Sequence, residues 1–213
     1  MSSPSIPDSL QDPDEDTEKK DSDQSIGSLL FWNPVLQTLS VMCVVSIVGW
    51  TAFMGAGGVT EPFVFTTPLD EHPESIILSI YAHANTTHLI SNATVIAIVG
   101  GIISLNSSWI RFHLFFIFSG VVAGVTQAVI MEYYGTAIPA LGASGAGFAL
   151  MGYLAIANPL ADYVSGKTIS ALVLILASGI TLYFSPEGSG IMAHFTGAVI
   201  GLIAGRFHLL RAK

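Results

Sequence analysis

An all-α, polytopic membrane fold, a bundle of six transmembrane helices, is what this sequence predicts, and three observations carry the prediction. Only 10% of the 213 residues are charged and 51% are hydrophobic, whereas a soluble domain carries about 25% charge; mean hydropathy is +0.65. The apolar residues gather into six runs divided by polar loops. Along a six-pass path through a bilayer, all seven Lys and Arg fall on the same side.

The chain opens on a head, residues 1–27, whose first 24 positions hold eight of the fifteen acids and two lysines. Such a Ser- and Pro-rich acidic stretch cannot bury enough apolar surface to offset chain entropy, so it is expected to be a disordered cytoplasmic tail ahead of a membrane domain at 28–213. It lacks the basic start and short apolar core of a cleaved signal. Six candidate spans follow, at 35–55, 86–105, 109–131, 143–157, 168–184 and 190–210. A span needs about 20 mostly apolar residues; the fourth and fifth fall short and are expected to be sheltered by their neighbours. The first loop, 55–82, is long and carries Phe63, Val64, Phe65 and a second apolar patch at 76–81, which suggests a segment lying in the membrane interface.

Direction follows from charge. With the head inside the cell, Lys19, Lys20, Arg111, Lys167, Arg206, Arg211 and Lys213 all lie on the inner side, and the loops near 56–85, 132–142 and 185–189 have no basic residue. Both termini are therefore expected in the cytoplasm of a multi-pass cell-membrane protein. A net charge of −8 argues against a nucleic-acid partner. The single cysteine, Cys43, sits in an apolar run and supports neither a disulfide framework nor a Cys metal site.

Against so apolar a background, polar residues inside spans mark candidate functional positions. Ser144 opens the fourth span at its outer end, between Gly142 and Gly145. A helix start concentrates unpaired N–H groups and the positive end of the dipole, which suits the oxyanion that a serine attack generates. The two glycines allow a tight turn and close backbone approach. Serine is equally an ordinary helix N-cap, and G-x-S-G alone fits either role. His194 lies near the outer start of the last span, followed by Gly197, Gly201 and Gly205, a ridge over which another helix can pack closely. Gly145, Ala149 and Gly152 offer the matching face on the fourth span, so the imidazole is expected beside the Ser144 hydroxyl as its base; a hydrogen-bonded packing histidine is the bland alternative. In the second span His88 and Asn92, four apart, share one helix face near the same depth. Asn in a span is often interhelical glue; beside Ser144 the pair suggests a shared polar cavity. His83, just ahead of that helix, is placed to tie the first loop down.

Three segments, "HANTTHLISN" (83–92), "GASGAGFALMGY" (142–153) and "AHFTGAVIGLIAG" (193–205), occur on the second, fourth and sixth spans. Together they resemble the rhomboid family of intramembrane serine proteases, over residues from about 35 to 210. The resemblance implies a rhomboid-type six-helix bundle. Ser144 would be the nucleophile and His194 its general base, with His88, Asn92 and the Ser144 N–H forming the oxyanion hole. Phe148, one turn below Ser144, would stack on the His194 ring where many relatives carry a tyrosine. The Trp-Arg pair familiar in the first loop is absent, with Glu74 and Ser75 near its place, and Ser79 replaces a further histidine, so the loop must be braced differently here. Implied partners are transmembrane protein substrates and the lipid bilayer, with substrates reaching the site between the second and fifth spans. No cofactor and no metal are expected. A zinc protease built on His83, His88 and His194 would lack H-E-x-x-H and any acid in those spans. A transporter would want a membrane-embedded charge pair, and none appears in the spans. A catalytically silent relative that binds membrane clients shares the architecture.

Overall fold

The computed structural model describes residues 32–56, 58–68, 71–136, 139–157, 175, 179, 183 and 190–212. The expected acidic tail at 1–27 lies outside the described residues, as does the expected fifth span at 168–184 apart from three isolated positions. From Pro34 onward the chain forms one compact unit.

Six helices are described. Helix α1 runs Pro34–Ala52, α2 Ser75–Tyr81, α3 Thr86–Ser104, α4 Trp109–Tyr133, α5 Ser144–Ala157 and α6 Ile191–Arg206. Three of them, α1, α3 and α4, are long and apolar enough to cross a membrane, and α5 and α6 are shorter apolar helices. At 1.5 Å per residue a 19-residue helix measures about 28 Å, close to the thickness of a hydrocarbon core. Within α3, residues Ile96–Gly100 widen into a π turn, beside which Gly100 lets Phe112 and Val35 approach.

Hydrophobic side chains divide by partner. Met42, Val99, Ile103, Phe112, Phe116, Leu150 and Leu154 fill the core between the helices. Val44 and Ile47 on α1, Leu114 and Phe118 on α4, and Phe195 and Ile203 on α6 stand exposed on the outside. Contiguous apolar surface of this kind is costly in water and at ease against lipid chains, so this is a membrane protein.

Helices α5 and α6 meet along a seam without side chains. A Cβ at Gly197 would collide with the Gly145 carbonyl oxygen, one at Gly201 with that of Ala149, and one at Gly152 with that of Ala198. The backbones are therefore in direct contact, the arrangement that small-xxx-small ridges allow.

Two element ends differ from the sequence reading by three residues or more. The first span stops at Ala52 rather than 55 because the chain turns into a two-strand hairpin, β1 Met54–Gly55 and β2 Gly58–Val59, closed by Thr60 N–H donating to the Phe53 carbonyl over 2.8 Å. The last helix stops at Arg206 rather than 210. Beyond it the chain folds back on the α3–α4 turn, where Ala212 N–H donates to the Asn106 carbonyl over 2.7 Å, the Arg111 guanidinium donates to the Arg211 carbonyl and Leu210 is buried. The first loop is also more ordered than an interfacial ribbon. Phe63, Val64 and Phe65 are buried in the protein, and the patch at 76–81 is the helix α2.

Candidate active site

The starts of α3, α5 and α6 gather at one end of the bundle, and each delivers a polar side chain. The hydroxyl of Ser144, first residue of α5, lies 2.9 Å from Nε2 of His194. These residues are 50 apart in the chain and come from the two helices of the glycine seam. Because Gly197 and Gly201 remove every side chain between the backbones, the helices sit close enough for a short hydroxyl to reach the imidazole. The Phe148 ring is stacked on His194 with centroids 4.5 Å apart and planes 16° from parallel, which fixes the tilt of the imidazole.

As the first residue of its helix, Ser144 has a backbone N–H with no acceptor inside that helix. The turn ahead of it depends on Gly142, whose φ of +105° excludes ordinary side chains. A Cβ there would also lie 2.7 Å from Nε2 of His88 and 3.6 Å from Nδ2 of Asn92. The backbone entering α5 thus runs directly against the His88 and Asn92 side chains. Gly145 has an equally strict neighbour: a Cβ there would fall 2.6 Å from that of Ala123 on α4. Asn92 donates one amide hydrogen to the His88 carbonyl at 3.1 Å and retains a second. His88 is the third residue of its helix, and the side-chain oxygen of the N-cap Asn85 accepts the His88 N–H at 2.9 Å.

His83 stands one shell away. Its ring meets that of His88 edge-on, with centroids 5.0 Å apart, and its Nδ1 lies 3.0 Å from the Tyr81 carbonyl oxygen and from the Ser46 hydroxyl of α1. The Trp50 indole donates to the His83 carbonyl at 2.7 Å. His83 therefore pins the loop to α1 and does not reach Ser144 itself.

The bracing of the first loop, for which the sequence offered no side chain, is supplied by backbone. Phe65 and Ala140 exchange two hydrogen bonds of 2.9 Å, and Gly142 N–H donates to the Ser79 carbonyl at 2.8 Å. The loop is thereby stitched to the turn that precedes Ser144. Its outer part carries a clasp: His72 contacts Glu61 at 3.0 Å and Glu74 at 3.1 Å. The hydrogen bond that His72 donates to Glu74 is the largest influence and, with the charges of Glu61, Glu74 and Glu71, raises the His72 pKa above its ordinary 6.5; desolvation, second in size, opposes it. The Glu74 carboxyl is lowered, first by a backbone N–H and then by His72.

Sequence reasoning missed Gln127. Buried on α4, it turns its side-chain oxygen to the N–H groups of Met192 and Ala193, at 3.2 and 3.3 Å, in the first turn of α6. A glutamine inside a long apolar span, a residue type that lipid rejects unless it has a partner, was the available signal. Among the described residues no three His, Cys, Asp or Glu side chains converge to hold a metal ion.

A model of the rhomboid domain matches residues 71–211, well over half of the chain and all three motif segments. The chain belongs to the rhomboid family. No curated protein matches it significantly. The match opens near His72 and closes at Arg211, so it takes in every helix start described above and leaves out α1, which contributes Ser46 and Trp50 to the rhomboid core.

Proposed function

We propose that this rhomboid is an intramembrane serine endopeptidase of the cell membrane, with six spans and both termini in the cytoplasm, that cleaves transmembrane segments of other proteins near the outer leaflet. The 2.9 Å contact between Ser144 Oγ and His194 Nε2, made at the start of a helix, carries this reading.

In the proposed reaction Ser144 Oγ attacks the scissile carbonyl while its proton passes to His194 Nε2. The negative charge that forms on the carbonyl oxygen is received by the Ser144 N–H, the His88 ring and the free amide hydrogen of Asn92. Collapse breaks the C–N bond, His194 returns the proton to the leaving amine, and an acyl-enzyme remains. Water, deprotonated by His194, then releases the new carboxyl end. A spanning helix already has its peptide groups paired, so the substrate must unwind first. Segments with Gly, Ser or Pro near the outer end unwind most readily, and they define the expected substrate class.

Reconstitution in liposomes with a model transmembrane substrate tests the reading. Wild type is expected to cleave and to be labelled at Ser144 by a fluorophosphonate, while Ser144→Ala and His194→Ala lose on the order of 10⁴-fold in kcat. Asn92→Ala is expected to lose about 10²–10³-fold. Substrate binding without cleavage or labelling by wild type would refute the protease and leave a client-binding rhomboid.

A further inference from the structure

We infer that Gln127 is a positioning residue for the reaction: its side-chain oxygen caps the helix that carries His194 and so holds the imidazole in register with Ser144. The inference rests on the protease reading and names a residue outside the Ser144, His194, His88 and Asn92 set.

The N-cap of helix α6 is Gly190, a residue with no side chain to satisfy the first N–H groups. In most helices an N-cap Ser, Thr, Asp or Asn accepts from the second or third residue. Here the second and third residues of α6 are Met192 and Ala193, and both N–H groups point at Gln127 Oε1 on another helix. Two donors on one atom require that atom to be the oxygen, which settles the orientation of the amide. Gln127 is buried, so a cap lost there leaves buried N–H groups unsatisfied at a cost. The next residue is His194, whose N–H donates to the Gly190 carbonyl at 2.9 Å. The cap therefore sets both the height and the rotation of the first turn, and with them the direction of the imidazole.

One face of α4 gauges both partners. Ala123 meets Gly145, the neighbour of Ser144, and Gln127 one turn further on meets Met192 and Ala193, the neighbours of His194. A Cβ on Gly190 would lie 3.4 Å from the same Gln127 oxygen, so α4 also limits how far the start of α6 can drift. Helix α4 thus serves as a common ruler for the hydroxyl and the base. A drift of about 1 Å at either end is enough to lower a reaction rate by about 10²-fold.

The test compares Gln127→Met, which keeps shape and loses the acceptor, with Gln127→Glu, which keeps the acceptor and loses the amide hydrogens. Reconstituted cleavage should show kcat for Gln127→Met down about 10- to 100-fold with KM within about twofold, and Gln127→Glu within about threefold of wild type. Fluorophosphonate labelling should slow in parallel, since it needs the same base and no bulky substrate. Should Gln127→Met fail to fold, Gln127→Asn, one methylene short of reach, takes its place with the same expectation. A readout independent of cleavage is the ¹⁵N signal of His194 Nε2 in lipid nanodiscs, referenced to Ser144→Ala. The hydrogen-bonded shift should persist in Gln127→Glu and be lost in Gln127→Met. Wild-type-like kcat and imidazole signal in Gln127→Met would overturn the inference, as would a Gln127→Glu variant as impaired as Gln127→Met. Loss of cleavage by wild type with the imidazole pattern intact would refute the protease and leave the cap standing.

Discussion

Two regions of this molecule are packed by opposite rules. Along the α5–α6 seam, glycines at 197, 201 and 152 lie against backbone carbonyls of the facing helix. In the half built from α1, α2, α3 and α4, large side chains meet each other: Phe112 stacks with Phe116 along α4 at 6.4 Å, and Tyr81 of α2 packs on Phe116 at 5.8 Å. Side-chain packing adjusts to a lost methylene by rotamer change and small shifts. Backbone packing has no such slack, because neither surface has a freely rotating group. Ser144 and His194 sit on the unyielding seam, where the separation between helices is set most tightly, and the tolerant half forms the frame around it.

The largest effect expected from this contrast is at the seam itself. Gly197→Leu must part α5 from α6 at the turn that holds His194, and cleavage should fall by about 10²-fold or more. Phe116→Leu in the other half should cost about 1–2 kcal/mol in stability and leave kcat within about threefold. Thermal unfolding and cleavage measured on both variants check the pair, and equal losses of activity would erase the distinction. A smaller effect belongs to Phe148, whose ring stacks on the base. Phe148→Leu removes the face on which the imidazole lies, and kcat should drop by about tenfold at nearly unchanged stability, in keeping with about 1 kcal/mol for such stacking. A kcat unchanged in this variant would show that the seam alone orients His194.

The smallest effect lies outside both regions, in the exposed clasp of Glu61, His72 and Glu74. The raised His72 pKa means that its contribution is fully present below 6.5 and fades as pH rises through the folded value. The lowered Glu74 pKa means that its contribution is present above 4.5 and is lost as pH falls through the folded value. The clasp is thus tightest between these limits and loosens in alkali. Hydrogen exchange across residues 60–76, corrected for intrinsic rates, should show protection declining from mildly acidic to alkaline pH in wild type, and a flat profile in His72→Gln. Exposed pairs are weak, so the change in cleavage should stay within about twofold.

Much of the fold was legible in the residues. Apolar runs located α1, α3, α4, α5 and α6. The spacing of His88 and Asn92 placed both on one face, and the glycine ridge announced a close helix pair. Three features left no such trace. Phe65 pairs with Ala140 across two loops, and a two-residue bridge has no periodicity to read. The partner of Gln127, Met192, lies 65 positions later, a relation that its neighbours in sequence do not encode. The fold-back at 207–212 lies within an apolar run that reads as continuing helix; it is broken by Arg211 reaching the turn between α3 and α4 and by the positive φ of His208.

By itself the sequence determined which of the described segments leave water, because burial of apolar groups sums over residues whatever their partners. Only the tertiary structure decided that a hydroxyl and an imidazole 50 residues apart stand 2.9 Å from each other, and that α4 spaces the helices bearing them. A hydrogen bond depends on tenths of an ångström and on angle. Such precision comes from the packed backbones of several helices at once and not from any one stretch of chain.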